Sequence, residues 1–279
     1  MSEPKSLELI YQEYLRKTAS LKISANYFDK MFKDGWKKLA EQNQNRIEFG
    51  YDDFFGMQNF LFFTVDNKPV SYDLKNYSFE DSRNNLIDSW NRMYQLLLVQ
   101  AFEAFSEFVK DLYSLLLDLG FELPRPCRRG EQLPCEKSFK FNVATIRQKL
   151  FKLYSTLEVY DTRNQLKINF KFMLPFIEKL RHSIAHSHGE FKDIEEFKRE
   201  VLEVNGLFNN GKYDPELDRN FNSFTRTRNG ILEIAMMPLP QASDGVFDEW
   251  INRFDELNDV LMAYAELLQR IFKQKMDKL

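Results

Sequence analysis

The sequence predicts a mainly α-helical fold, an elongated helical bundle that carries one or two small β-hairpins. Apolar residues recur at three- and four-residue steps over two very long segments, residues 78–119 and 244–276. Helices of that length span about 50–60 Å at 1.5 Å per residue, and they hide such stripes only against other helices. The β content is small because only two segments leave the helical period for short paired runs around polar turns.

The elements follow in chain order. Residues 7–41 read as helix, with a candidate break near Ser20. Residues 60–65 and 70–74 flank Asp66-Asn67-Lys68-Pro69 and read as a hairpin. The helix over 78–119 carries Ile87, Trp90, Tyr94, Leu97, Ala101, Phe105, Phe108, Leu112 and Leu116 on its stripe. Ser78 with Asp81 resembles a capping box at its start, and Gly120 suits its end. Residues 143–160 hold Ile146, Leu150, Leu153, Tyr154 and Leu157 in step. A helix over 174–186 has Pro175 in its first turn, where the missing N–H costs nothing. Another helix is expected over 194–202. Residues 221–227 and 231–236 flank Asn229-Gly230, the stronger hairpin signal of the two. The last helix, 244–276, repeats the pattern through Phe247, Trp250, Phe254, Leu257, Leu261, Tyr264, Leu268 and Phe272. Residues 1–77 therefore form an N-terminal helical extension with a hairpin, and 78–279 a helical domain with the second hairpin and the long last helix. No loop is long or polar enough to force a boundary, so a single domain fits equally well.

Composition narrows the function. The chain has 279 residues, 43% hydrophobic and 15% aromatic, with 27 Phe, enough apolar surface to fold rather than stay disordered. No run of about 18 apolar residues is present, and the first residues lack a hydrophobic signal stretch, so no membrane partner and a cytoplasmic location are expected. The net charge of −3 disfavours a protein that coats nucleic acid, which needs cations in excess to neutralise phosphates. Cys127 and Cys135 fit neither a redox pair nor close zinc ligands, and read as ordinary thiols of a reducing compartment, with a loop disulfide as the alternative.

All three histidines lie within Arg181-His182-Ser183-Ile184-Ala185-His186-Ser187-His188-Gly189. They sit at the end of a helix whose apolar face is Phe176, Ile177, Leu180 and Ile184. Three readings stand. The cations cap the carbonyl end of a helix, favoured there by about 0.3–1 kcal/mol. Alternatively His182 and His186, one turn apart, bind a metal, with Glu178 or Glu190 as the nearest acidic candidates. In the third reading, Arg181 holds a phosphoryl group while His186 moves protons. If a ribose 2′-hydroxyl is the nucleophile, the substrate brings its own attacking group. Residues five apart on a helix diverge by about 140°. Arg181 and His186 converge more easily when two copies of the helix face each other across a twofold axis.

Arg181-His182-Ser183-Ile184-Ala185-His186 resembles the signature of the HEPN superfamily (higher eukaryotes and prokaryotes nucleotide-binding), an Arg, a polar residue and then a His four to six residues on. Gln100-Ala101-Phe102-Glu103-Ala104-Phe105 is similar to the first core helix of that bundle, and the similarity spans about 78–208. The resemblance implies a HEPN-like bundle and a homodimeric endoribonuclease that uses no metal and no cofactor and leaves a 2′,3′-cyclic phosphate. It also implies RNA as substrate and a role as toxin or antiviral defence effector, with an antitoxin protein as a candidate partner. Other members of the family only bind RNA or nucleotides. Arg181, His186 and His182 occupy the expected catalytic positions, with His188 peripheral.

Glu103 is a candidate to orient Arg181 or a histidine, although Glu107 and Lys110 continue its strip as an ordinary solvated face would. Arg128 and Arg129, with Arg125, Lys137 and Lys140, are candidates to draw RNA in. No glycine-rich phosphate loop and no nucleophile elbow is present, which disfavours a nucleotide triphosphatase and a serine hydrolase.

Overall fold

The computed structural model describes residues 6–51, 56–63, 65, 68–125, 141–191, 193–204, 206–208, 213–228, 230–236 and 253–277. Among them the chain is mainly helical with small antiparallel β additions. Helices α1 (Leu7–Phe49), α2 (Phe79–Asp118), α3 (Val143–Leu153), α4 (Thr156–Tyr160), α5 (Phe170–Ser187), α6 (Ile194–Val204), α7 (Glu216–Ser223) and α8 (Arg253–Met276) carry the fold. Strands β1 (Gly56–Phe63) and β2 (Pro69–Tyr77) form one hairpin, and β3 (Glu190–Phe191), β4 (Thr225–Arg228) and β5 (Ile231–Ile234) form a sheet in the order β3-β5-β4. The segments 126–140 and 237–252, with Cys127, Cys135, Arg128, Arg129 and the expected start of the last helix, lie outside the described residues.

Contacts divide the chain into two compact units, residues 24–93 and the remainder. In the smaller unit, Phe32 of α1 stacks on Trp90 of α2 with ring centroids 3.6 Å apart, and both are buried with Ile87. β1 and β2 pair antiparallel from Gly56↔Tyr77 to Phe63↔Pro69, with a register shift between Met57 and Asn59. The expected hairpin is present and longer than its sequence signal.

The larger unit holds the α2 stripe. Tyr94, Leu98, Phe105, Leu112 and Leu116 are fully buried, and so are Phe254, Leu257, Leu261 and Phe272 of α8. A fully buried Leu or Phe contributes about 1.5–3 kcal/mol, so these two stripes are the main adhesive. Tyr264 of α8 meets the rings of Phe105 and Phe170 edge-on. A second aromatic knot joins α5 to α7: Phe172 and Phe176 stack at 5.2 Å, and Phe221 meets each edge-on at 5.4 Å. These phenylalanines are core.

Capping explains several boundaries. At α2 the Ser78 backbone N–H and hydroxyl donate to Asp81, whose own N–H donates back to Ser78 Oγ at 3.0 Å. The helix closes at Gly120, φ +83°, where the Phe121 N–H reaches the Leu116 carbonyl and the Gly120 N–H that of Leu117.

Five expectations need correction. α1 runs unbroken past Ser20 to Phe49, because Ser costs only a few tenths of a kcal/mol in a helix and buried neighbours such as Ala25 hold the turn. The 143–160 helix is two pieces: Tyr154 leaves helical geometry at ψ 88°, and α4 starts afresh at Thr156. α5 begins earlier than expected, at Phe170, because Asn169 caps it through the Phe172 N–H at 3.1 Å. Pro175 is therefore interior to the helix rather than in its first turn. Phe221 belongs to α7 and not to a strand; only Thr225–Arg228 pairs with Ile231–Ile234. Finally, β3 joins that hairpin as a third strand, since Glu190 and Phe191 pair with Glu233 and Leu232.

Candidate functional site

α5 delivers the Arg181–His188 segment. The last turns of its inward face bury Ile177, Leu180 and Ile184, which leaves His182 and His186 on the outward side. Arg181 is partly buried, and His182, His186 and His188 are exposed. His182 and His186 share a face as a one-turn spacing requires, with ring centroids 4.4 Å apart and planes tilted by 49°.

Arg181 reaches across to α2, where an Nη2 donates to Glu103 Oε1 in an ion pair. The Arg181 side chain is 29% exposed and that of Glu103 51%. Arg carries five N–H donors in a rigid fork. The carboxylate therefore fixes the plane of the guanidinium while leaving donors for another anion. The rest of the strip behaves as a solvated face: Glu107, one turn on, pairs with Lys17 of α1 at 2.5 Å.

Position within the segment separates the histidines. His188 ends the helix in left-handed geometry, φ 52° and ψ 26°, and its N–H bonds the Ser183 carbonyl. Gly189 follows at φ +79°, and its N–H bonds the same carbonyl at 3.1 Å. The His182 ring titrates below its ordinary value of 6.5. Partial desolvation of the exposed ring is the main cause, reinforced by His186, Lys179 and Arg181 and opposed by Glu200. Lys179 is in turn paired with Glu200 of α6 at 2.6 Å.

Gln95, which the sequence shows only as a polar interruption of the α2 stripe, fixes the end of α5. It is buried, and its amide donates to the Ile234 carbonyl at 2.9 Å, while the Ile234 N–H donates to the Gly189 carbonyl at 2.7 Å. A β-carbon on Gly189 would stand 2.8 Å from the Gln95 amide nitrogen, so only glycine fits there.

The segment thus presents a carboxylate-held arginine, one histidine that is neutral at pH 7 and a second beside it. That set can bind an anion and exchange protons near neutrality. Among the described residues no group of three or more His, Cys, Asp or Glu is placed to hold a metal ion. No described helix is long and apolar enough to cross a membrane. Set against protein-family models, curated proteins and solved structures, the chain matches none.

Proposed function

We propose that the chain is a metal-independent endoribonuclease of HEPN type, acting as a homodimer on RNA. The observation that carries the reading is the pairing of Arg181 with Glu103 beside the exposed His182–His186 face of α5. In this reading Arg181 binds the scissile phosphate. His186 takes the proton of the ribose 2′-hydroxyl or returns one to the leaving 5′-oxygen. The 2′-oxygen bonds to phosphorus as the P–O5′ bond breaks, and a 2′,3′-cyclic phosphate remains. His182 assists and Glu103 keeps the guanidinium aimed.

Each subunit by itself presents these groups on an open helix face, and residues 181 and 186 diverge around α5. Two copies meeting across a twofold axis would bring one subunit's arginine towards the other's histidine and exclude water between them. A toxin or antiviral defence role, held in check by an antitoxin protein, suits an RNase of this kind, and the cytoplasm is where its substrate lies.

The test is cleavage of a mixed RNA substrate in excess chelator. Arg181→Ala and His186→Ala should each abolish cleavage with unchanged circular dichroism. Glu103→Ala should lower it about 10–100-fold by misplacing the guanidinium. Cleavage that survives both knockouts, or that requires a divalent ion, rejects the mechanism. Strict proportionality of rate to protein concentration down to the lowest measurable level, with a monomeric mass throughout, rejects the dimer.

A further inference from the structure

Between α3, α4 and α5 lies a cavity of about 310 Å³. Arg147 and Phe151 line it from α3, Glu158 and Asp161 from α4 and its end, and Lys171 and Glu178 from α5. Its floor is an ion pair in which Arg147 donates to Asp161 Oδ2, the two residues being 8% and 2% exposed. Asp161 Oδ1 and Arg147 Nε are both buried without a hydrogen-bond partner, so the floor keeps one acceptor and one donor unsatisfied. The Arg147 guanidinium also lies 5.2 Å from the Phe151 ring centre, giving the wall a flat aromatic and cationic surface.

The charges select the ligand. Arg147 and Asp161 neutralise each other, which leaves Lys171 against Glu158 and Glu178. A bare phosphate is disfavoured by that excess of carboxylate. A flat ligand with N–H donors beside a carbonyl is favoured: the donors face Glu178 and the carbonyl faces Lys171 or Arg147. Among the four RNA bases, guanine alone offers two adjacent N–H donors to a carboxylate next to a carbonyl oxygen for a cation. Glu178 precedes Arg181 by three residues, about 4.5 Å along the helix axis, on nearly the same face.

We infer that this cavity is a guanine subsite, which seats the base of a nucleotide adjoining the phosphate held by Arg181. The inference rests on the RNA-cleavage reading for its role, and on the cavity alone for its ligand.

Two measurements on the full chain test it. The first is calorimetric titration of the His186→Ala protein with guanosine, inosine, adenosine, cytidine and uridine. The second maps wild-type cleavage of oligonucleotides that contain a single guanosine. Guanosine should bind best, and inosine, which lacks the amino group, about tenfold more weakly. Glu178→Gln should weaken guanosine by a similar factor, and Lys171→Ala supplies an independent variant, each checked for folding by thermal melting. Cleavage should fall beside guanosine. Equal binding of all nucleosides, no binding, or guanosine binding untouched by both variants overturns the subsite. Guanosine-selective binding without cleavage of any RNA upholds the pocket and removes the nuclease reading. Cleavage at every base without guanosine selectivity does the reverse.

Discussion

His182 shows how a single ring reports its surroundings. Partial desolvation and the neighbouring positive groups disfavour its protonated form, so its midpoint lies below 6.5. The unfolded chain protonates at the ordinary value, so between the two midpoints it holds more protons than the native state. Folding stability from this group therefore rises with pH across that window, and the full penalty is present below the native midpoint. The titration is readable from the imidazole C–H resonances in NMR. Arg181→Ala should move the His182 midpoint upward by removing one of the repelling charges. A midpoint at or above 6.5 in the unaltered protein would contradict the environment described here. At this scale the sequence was informative where residue types were rare: three histidines in one short segment cannot be overlooked. Glu103 was legible as a candidate to orient Arg181 or a histidine, but nothing in the spacing of α2 separates it from the other acids of its charged strip. Gln95 gave still less, because its role depends on Ile234, 139 residues away.

Helices α3, α4 and α5 meet around the Arg147–Asp161 pair, and removal of either partner strands the other in a nearly dry site. Arg147→Met should cost about 3–5 kcal/mol, and Arg147→Met with Asp161→Leu should recover most of the loss. Urea unfolding measures both. Burial already raises the Asp161 carboxyl above its ordinary value, with Arg147 pulling it back. Without Arg147 the group should hold its proton more firmly, and the deficit of the single variant should shrink in acid as the carboxyl becomes neutral. If the deficit instead grows in acid, the stranded-charge account fails. Long elements were the legible ones, because a stripe repeated over many turns has no strand alternative: α2 and α8 are of this kind. Short apolar runs are ambiguous. Phe221 and Phe224 belong to the end of α7 and the turn after it, yet the same residues beside Asn229-Gly230 read as strand. The break at Tyr154 has no Pro or Gly to announce it, and a two-residue strand such as β3 is defined only by its partner.

For the whole molecule, a charge of −3 restricts how RNA would be held on the reading proposed above. A binder that relied on a broad basic surface would lose affinity steeply with salt. A local site that uses Arg181, one base pocket and few other cations should not. With about three phosphates neutralised, at about −0.7 each for a single strand, the slope of log affinity against log salt should be no steeper than about −2. Fluorescence anisotropy of a labelled RNA with the His186→Ala protein, across a potassium chloride series, provides the slope. A value beyond about −4 would imply an extended phosphate track and a different mode of binding.

The linkage of Gln95, Gly189 and Ile234 also bears on when the protein becomes competent. These residues come from α2, the end of α5 and β5, so the histidine-bearing terminus is anchored only after three remote stretches of chain have met. Contacts that close such long loops form slowly. During synthesis the motif leaves the ribosome dozens of residues before the strand that anchors it. On the nuclease reading proposed above, that order of synthesis would leave the histidine-bearing terminus unanchored until β5 has emerged.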